Sequence, residues 1–315
     1  MRQLTTGTVL GLFVLCGATL AAQTYNLNAF SVPFVQNSDT YALGINNRGA
    51  IVGDIFFVRQ HPQLIYVQKG FKRDADGVFE RPITDPNDVG HVTVAQAIND
   101  SGAIVGEYNS SSTSSDGPIH GFLLSNGVFT DIDVTPGADT YVLGINNKGD
   151  FTGYVGPTFN TLNTQGFVSS GGQVTIFDVP GTSNQTTANG IAEDGTIVGG
   201  VYLQNRKYHV GFIRGPHGNF KLFQIPNSAY TYPLAINNAV HKIVGYYSDL
   251  GAGGTCCLSH GFVYDYLTGD STTVDWPQPA GIYTYINGIN SHGEIVGVAD
   301  GGNLNPVSFI GTPGP

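Results

Sequence analysis

One short segment recurs along the whole chain. It reads Gly-Ile-Asn-Asn-x-Gly in two copies, which begin at Gly44 and Gly144, and four variants follow the same plan. Successive copies lie 45 to 53 residues apart, with their isoleucines at Ile45, Ile98, Ile145, Ile191, Ile236 and Ile289. Because a unit of this size cannot bury its apolar face alone, six copies predict a repeat architecture in which neighbouring units pack on one another.

Each repeat contains the pattern of four short β-strands. The strands are rich in Val, Ile, Tyr, Phe and Thr, and Gly, Asn and Pro separate them, as in the segment 120–134. This pattern is typical of antiparallel strands joined by hairpins. Beyond the N-terminus, no stretch of the sequence has the apolar period of an α-helix. The chain is therefore expected to be all-β.

Six repeats of four antiparallel strands predict a six-bladed β-propeller. The ends of the sequence favour a closed ring. The sixth repeat stops after its third strand, at 307–310, whereas an additional strand at 28–33 resembles the fourth strands at 176–180 and 222–226. We expect the N-terminal strand to complete the last blade, which removes the free sheet edges of an open array.

Several positions hold the same residue type in every repeat. Asn46-Asn47 with Gly49 predicts a tight turn in which the glycine has a positive φ angle. The fifth repeat lacks this glycine and is one residue longer between Asn237 and Lys242, so an irregular turn is expected there. A glycine that ends the second strand predicts a close backbone approach or a β-bulge. It occurs at Gly53, Gly106, Gly153, Gly199, Gly245 and Gly297.

The repeat resembles the HAF-type bacterial extracellular repeat, which is named for a His-Ala-Phe triplet. The resemblance rests on Gly-Ile-Asn-x-x-Gly-x-Ile-Val-Gly, on a His-Gly-Phe triplet beginning at His120 and at His260, and on a terminal Val-Pro-Gly. It extends from Thr40 to Ile310. The resemblance implies secretion and a repeated β-fold, but no established activity and no catalytic residues.

Residues 1–22 have the features of a secretory signal peptide. Arg2 precedes a short apolar run at 9–20, and small residues at 19–22 suit cleavage. The run is too short to span a membrane. We expect residues 23–315 to form a single propeller domain that is secreted, extracellular or periplasmic, and monomeric. The net charge of −10 and the scattered Lys and Arg residues argue against nucleic acid as a partner, and no membrane insertion is expected.

Cys256 and Cys257 are adjacent in sequence. In an oxidising compartment they could form a vicinal disulfide. Adjacent Cα atoms lie about 3.8 Å apart, which is shorter than the usual disulfide span. Two free thiols, or pairing with another molecule, are therefore equally open alternatives.

One face of a propeller carries the loops between the second and third strands together with the loops between blades. In this sequence the loops between the second and third strands vary in length and composition. Binding residues concentrate in such variable loops on a rigid scaffold. These loops are expected at 54–70, 107–120, 154–165, 200–210, 246–260 and 298–306. Their content of Tyr, Ser, Thr and Asn suits a glycan or an extracellular protein. The sequence therefore predicts a binding module that needs no cofactor.

The candidate binding residues on this long-loop face are aromatic. They are Tyr41, Tyr141, Tyr230, Trp276, Tyr283 and Tyr285. Three of them share one repeated position with Tyr232, which favours packing between blades over ligand contact. The other three stand outside the repeat pattern and are the better candidates for a ligand.

The alternative function is that of a secreted carbohydrate-active enzyme, either a glycoside hydrolase or a polysaccharide lyase. Asp54 and Glu107 follow the second-strand glycine in adjacent blades, where two loop carboxylates could act as acid and base. Solvated loop acids are the simpler interpretation. The sequence contains no His-Glu-x-x-His, no Gly-x-Ser-x-Gly and no Cys/His set with metal-ligand spacing. It thus indicates no metal site and favours binding, while catalysis stays open.

Overall fold

The chain folds into six antiparallel β-sheets arranged around a central channel. The computed structural model describes residues 24–33, 35, 37–60, 64–111, 117–158, 163–182, 185–203, 208–250, 256–277, 283–301 and 305–314, without the side chains of residues 208, 250, 256 and 257. None of the described residues lies in an α-helix. The predicted signal peptide at 1–22 lies outside the described residues.

The sheets follow one another along the chain as blades. Blade 1 consists of β2 Asp39–Ile45, β3 Ile51–Gln60 and β4 Leu64–Arg73. Blade 2 consists of β5 Thr93–Ile98, β6 Ile104–Asn109, β7 Ile119–Ser125 and β8 Val128–Ile132. Blade 3 consists of β9 Ala138–Ile145, β10 Phe151–Pro157, β11 Gln165–Ser170 and β12 Gln173–Phe177.

The other three blades repeat this plan. Blade 4 consists of β13 Thr186–Ile191, β14 Ile197–Leu203, β15 Tyr208–Arg214 and β16 Phe220–Phe223. Blade 5 consists of β17 Ser228–Asn237, β18 Lys242–Leu250, β19 Cys256–Asp265 and β20 Ser271–Val274. Blade 6 consists of β21 Tyr283–Ile289, β22 Ile295–Asp300, β23 Val307–Pro313 and, from the other end of the chain, β1 Tyr25–Phe30.

The N-terminal strand closes the ring, as the sequence predicts. β1 pairs antiparallel with β23, so that Tyr25 lies opposite Pro313 and Phe30 lies opposite Ser308. The last blade is also hydrogen-bonded to the first, since the N–H of Ala42 donates to Ser308 Oγ at 2.9 Å. The predicted six-bladed propeller is confirmed.

Blade 1 departs from the four-stranded plan. Its outermost position holds two isolated bridges, from Phe79 to Arg73 and from Ile83 to Gly70. Pro82 lies between the two bridging residues, and proline has no N–H to donate to a neighbouring strand. A continuous fourth strand therefore does not form along β4.

Three segments that the sequence predicts as long loops are largely strands. β3 and β4 pair as far as Gln60 and Leu64, β14 and β15 as far as Leu203 and Tyr208, and β18 and β19 as far as Leu250 and Cys256. The first hairpin has a continuous apolar run at 55–58 without the alternation that marks a strand with one solvated face. The side chains of Cys256 and Cys257 lie outside the described part of the chain, so the vicinal disulfide stays a prediction.

The repeated second-strand glycines are required by a close backbone contact. A Cβ atom at Gly53 would lie 1.9 Å from the carbonyl oxygen of Tyr41, and the equivalent clash occurs in every blade. Beside it the first strand contains a β-bulge, because the pairing passes from Ala42 to Gly44. Both expected features, the close approach and the bulge, are present. The bulge residues of the six blades are Leu43, Gln96, Leu143, Asn189, Leu234 and Asn287.

The apolar core lies between the blades. One phenylalanine of each third strand is completely buried there: Phe71, Phe122, Phe167, Phe212, Phe262 and Phe309. In five of the six repeats this is the Phe of the Gly-Phe pair, and in the sixth it follows Ser308. The repeated triplet thus supplies the central core residue of each blade.

A threonine at the head of each first strand fastens the end of the preceding fourth strand. Its Oγ1 accepts a backbone hydrogen bond, as from Val32 to Thr40 at 3.2 Å and from Trp276 to Thr284 at 3.1 Å. The same bond ends on Thr93, Thr140, Thr186 and Thr231. Trp276 therefore occupies the repeat position that Val32 holds before blade 1. The sequence-based prediction that Trp276 stands outside the repeat pattern is wrong.

Candidate functional site: the channel and its two mouths

A channel lined by the first strand of every blade runs through the ring. It contains a cavity of about 80 Å³ whose wall includes the bulge residues and the repeated isoleucines. The end formed by the Asn-Asn turns is here named the turn mouth. The other end lies at the start of the first strands and is named the tyrosine mouth, after Tyr41, Tyr141, Tyr232 and Tyr285.

At the turn mouth, the repeated asparagines join neighbouring blades. Asn46 Nδ2 donates to the carbonyl oxygen of Asn99 at 3.0 Å, and Asn99 Nδ2 donates to that of Asn146 at 3.1 Å. Asn46 Oδ1 also accepts from the N–H groups of Arg48 and Ala50, at 3.0 and 2.9 Å. One side chain therefore shapes its own turn and ties it to the next blade.

Two repeats interrupt this pattern. Ala192 takes the place of the asparagine in blade 4; its carbonyl accepts from Asn146 at 3.2 Å, but its side chain has no amide to donate onward. In blade 5 the turn is irregular, as predicted, because His241 has a φ of 55° where Gly49 has 79° in blade 1. At the turn mouth, the asparagine links thus join blade 6 to blade 1 and blades 1 to 4 in turn, and among the described residues no such link is seen from blade 4 or blade 5 to the blade that follows.

At the tyrosine mouth, four half-buried phenol rings come from the first strands. Tyr141 stacks on Tyr154 of the adjacent strand at 4.5 Å between ring centroids. Tyr232 stacks in the same way on Tyr246 at 4.8 Å, and Tyr246 meets Tyr285 of blade 6 edge-on at 4.8 Å. The expected packing between blades is present for Tyr285 and for Tyr232, whose ring also lies 4.9 Å from His209 of blade 4, whereas Tyr141 stacks within its own blade.

An aromatic cluster extends the tyrosine mouth over blades 4 and 5. The ring of His209 lies 4.9 Å from Tyr232, 5.1 Å from Tyr202 and 6.3 Å from Tyr230. Burial lowers the pKa of His209, so its imidazole is neutral at neutral pH. Among the three residues preferred from sequence, Tyr230 belongs to this cluster.

The other two preferred aromatic residues lie elsewhere. Tyr283 begins β21 and pairs with Asp300 at the edge of the mouth. Trp276 is partly buried and stacks on Phe309 at 5.7 Å in the core between blades. Trp276 therefore serves packing, because its ring covers a fully buried phenylalanine.

Carboxyl groups surround one side of the tyrosine mouth. Burial raises the pKa of the Tyr41 phenol to about 12, with further contributions from the charges of Asp39, Asp300 and Asp54. The pKa of Asp39 is raised by its own burial and by Asp300. These effects place a negative electrostatic potential at the side of the mouth formed by blades 1 and 6.

Asp54 and Glu107 are not loop residues. They lie within β3 and β6 and are only 4% and 7% exposed, so their predicted position in solvated loops is wrong. Gln68 donates to Asp54 at 3.1 Å, and Gln96 donates to Glu107 at 2.8 Å. Burial raises the pKa of Asp54 to about 7 and that of Glu107 to about 8. The second strand continues beyond its glycine, which the sequence pattern does not reveal.

A Ser–His–Asp set lies on the outer part of blade 2. His120 Nδ1 is 2.7 Å from Asp133, and its Nε2 is 3.0 Å from Ser110 Oγ. The N–H groups of Ser110 and Ser111 are already bonded, to Pro118 O and to Asn109 Oδ1, and so are not available to an oxyanion.

The same link recurs in other blades with different residues. His260 lies between Asp275 at 2.7 Å and Asp249 at 3.0 Å in blade 5, and in blade 3 Gln165 donates to Asp178 at 2.7 Å. In each case a histidine or a glutamine of the third strand is hydrogen-bonded to the aspartate that follows the fourth strand. We therefore assign the triplet histidines a structural role.

Three of the six bulge residues are amides. They alternate around the channel with leucines, so that Gln96, Asn189 and Asn287 come from blades 2, 4 and 6. A bulge turns its extra side chain out of the ordinary strand alternation, here into the cavity. The sequence signal is visible only in retrospect, as the residue before each Gly-Ile or Ala-Ile pair.

No metal centre is formed by the acidic, histidine and cysteine side chains of the described residues, since no three of them are suitably grouped. The described ranges also contain no helix with the length and apolar character of a membrane span.

No family model and no curated protein match the sequence. Solved structures match the fold. A protein of unknown function from Dyadobacter fermentans DSM 18053 is 10% identical, covers 91% of this chain and 99% of its own, and has a TM-score of 0.51. Streptogramin B lyase is 12% identical over 92% of this chain and 98% of its own, with a TM-score of 0.48.

A third similar structure is the extracellular domain of a one-component system from B. thetaiotaomicron. It is 14% identical, covers 92% of this chain and 40% of that protein, and has a TM-score of 0.47. At such identities, the likeness concerns the fold alone.

Proposed function

We propose that the protein is a secreted binding module whose ligand, a glycan or an extracellular protein, docks at the tyrosine mouth. The observation that carries the proposal is the set of four half-buried tyrosines at one end of a rigid channel. A phenol ring offers an apolar face for stacking and a hydroxyl for hydrogen bonding. The rigid blades hold these rings in place, so little conformational entropy is lost when a ligand binds.

A glycan fits this mouth better than a flat apolar partner. The surface alternates aromatic faces with polar groups, and sugars present both C–H faces and hydroxyls. His209 adds a neutral imidazole to the cluster around Tyr230 and Tyr232. We propose further that the chain is an HAF-type repeat protein that acts outside the cytoplasm, on the strength of its repeat motif and its N-terminal sequence.

Catalysis is the weaker proposal. A glycoside hydrolase needs its two carboxyl groups in contact with substrate, and a lyase that used these carboxyl groups as acid and base would need the same. Asp54 and Glu107 are buried in strands of different blades, and each is held by a glutamine amide. The geometry thus supports recognition without chemistry.

The test is a glycan array probed with the mature chain and with three variants. Tyr230→Ala and Tyr285→Ala remove rings of the tyrosine mouth and should weaken binding to every recognised glycan by about tenfold. Tyr266→Ala is the matched control, since Tyr266 packs against His241 at the opposite end of the channel. Unchanged binding by the mouth variants, or an equal loss in the control, would refute this site.

A further inference from the structure

We propose that the channel binds a primary ammonium group of the ligand through the amide oxygens of Gln96, Asn189 and Asn287. This inference rests on the proposed function, because the ligand would enter through the tyrosine mouth. The three amides stand at the same bulge position of every second blade and line one cavity. They therefore surround the channel axis at one level, separated by leucines.

Hydrogen bonds fix which atom of each amide faces the cavity. Asn189 Nδ2 donates to the carbonyl oxygen of Pro233 at 2.7 Å, and Asn287 Nδ2 donates to that of Ala42 at 2.8 Å. A carbonyl oxygen only accepts, so the amide nitrogen must point to it. Gln96 Nε2 also donates, to Glu107 Oε1 at 2.8 Å. The amide oxygens are left to serve the channel.

Three acceptors around one axis match a primary ammonium group. Such a group has three N–H donors and no acceptor, whereas a hydroxyl has a single donor and a water molecule has two. Calcium prefers six to eight oxygen ligands that include carboxylates, and no carboxylate is among the residues that line this cavity. The cavity of about 80 Å³ has room for a small head group.

The surroundings favour a positive charge. The charges of Asp39 and Asp300 act on Tyr41 at the mouth, so a cation is attracted before it enters. The tyrosine rings lie two residues before the bulges on the same strands, and aromatic faces attract cations. Leu43, Leu143 and Leu234 complete the wall between the amides and suit the methylene groups of an amine.

Titration of the full mature chain with n-butylammonium, followed by saturation-transfer NMR and calorimetry, tests the inference. Two probes serve as comparisons: tetramethylammonium has the charge without N–H donors, and n-butanol has the chain without the charge. We expect n-butylammonium to bind at least tenfold more tightly than either probe. Equal binding of tetramethylammonium would overturn the inference in favour of an aromatic cation site, and binding of calcium in place of the amine would do so in favour of a metal site.

The chain supplies its own template for the variants. Leucine already occupies the bulge in three blades, so Gln96→Leu, Asn189→Leu and Asn287→Leu should each fold, and each should weaken n-butylammonium binding at least fivefold. Asn147→Leu at the turn mouth is the control and should leave binding unchanged. If a variant unfolds, the side-chain amide signals of the parent chain decide: n-butylammonium must shift those of the three bulge amides, and shifts elsewhere would contradict the site.

A final comparison separates this inference from the proposed function. Chitosan hexamer and chitin hexamer share a backbone and differ in the free amine. Preference for chitosan supports both proposals. Equal binding of the two at the tyrosine mouth leaves the binding module standing and overturns the ammonium site. Binding of n-butylammonium with a blank glycan array supports the ammonium site and refutes a glycan ligand.

Discussion

The two mouths of the channel are built from the same six repeats, yet they use their side chains in opposite ways. At the turn mouth, Asn46 and its equivalents donate to and accept from the protein backbone. At the tyrosine mouth, one position of the first strand holds tyrosine in four blades and another residue in two: Tyr41, Val94, Tyr141, Thr187, Tyr232 and Tyr285. The asparagines are engaged in hydrogen bonds within the scaffold, whereas three of the tyrosine rings pack on other aromatic rings and all four stay only half-buried, so a ligand is to be sought at the second mouth.

The largest loss of stability from a substitution is expected for Asn46→Ala at the turn mouth. This change removes the hydrogen bonds that the Asn46 side chain makes to Arg48, Ala50 and Asn99. The backbone N–H groups of Arg48 and Ala50 then lose their acceptor. We expect the free energy of unfolding to fall by about 3 kcal/mol, measured by urea denaturation. Asn237→Ala is the control, because the bond it makes to Ala239 is exposed, and it should cost less than about 1 kcal/mol. Equal losses would show that the turn mouth is not a scaffold.

The second effect concerns the buried carboxyl beside the channel. Burial raises the pKa of Glu107 from 4.5 to about 8, so the folded chain holds this proton more tightly than the unfolded chain does. The stability that this pKa difference gives is fully present below the pKa of Glu107 in the unfolded chain. It is lost as the pH rises through the pKa of Glu107 in the folded chain. Between about pH 5 and pH 8 this group should lower the free energy of unfolding by about 1.4 kcal/mol per pH unit.

Glu107→Gln tests this dependence. The glutamine keeps an acceptor for Gln96 and does not titrate, so the variant should lose this part of the pH slope and be more stable than the parent above pH 8. Urea denaturation at pH 5, 6.5 and 8 measures it. A slope equal to that of the parent would show that Glu107 is solvated in the folded state.

Much of the fold could be predicted from the sequence because the repeat is long and regular. The period, the missing last strand and the additional first strand together specify a closed ring. The turn glycines and second-strand glycines were assigned correctly because each residue type has a backbone reason for its position. Pro82, which interrupts the fourth strand of blade 1, is the kind of local exception that a repeat pattern hides.

The candidate site was predicted less well, for physical reasons. A β-bulge changes the direction of one side chain without changing the spacing of the motif, so Gln96 and its two counterparts gave no signal. The burial of Asp54 and Glu107 depends on strands that extend past a glycine, where a sequence suggests a stop. Trp276 stood out by residue type, although its position is that of Val32.

A smaller effect is expected from Tyr285→Ala at the tyrosine mouth. The ring is half-buried and meets Tyr246 edge-on, so its loss should lower the free energy of unfolding by about 1 kcal/mol. The change should therefore weaken ligand binding more than it weakens the fold, which is the reverse of Asn46→Ala. Thermal unfolding and ligand titration of both variants measure this difference between the two mouths. If Tyr285→Ala lost as much stability as Asn46→Ala, the tyrosine would be part of the scaffold and the difference would not hold.

The smallest effect concerns one repeat position of the long-loop face that differs between blades 2 and 5. Burial lowers the pKa of His260, but the hydrogen bonds and charges of Asp275 and Asp249 outweigh it, so the pKa is raised. The stability that this ion pair adds is fully present below the ordinary pKa of histidine. It is lost as the pH rises through the raised pKa of His260 in the folded chain. Because both carboxylates are half exposed, we expect less than about 1 kcal/mol.

His260→Gln should therefore be less stable than the parent at pH 5.5 and equal to it at pH 8.5, by urea denaturation. Glutamine keeps the link, as Gln165 does in blade 3. Ser110→Asp is the converse change, since it gives His120 a second carboxylate as in blade 5, and it should make the chain more dependent on pH in the same direction. If neither variant alters the pH dependence, the variation at this position has no electrostatic effect, and the contrast between the two mouths would rest on the tyrosines and the bulge amides.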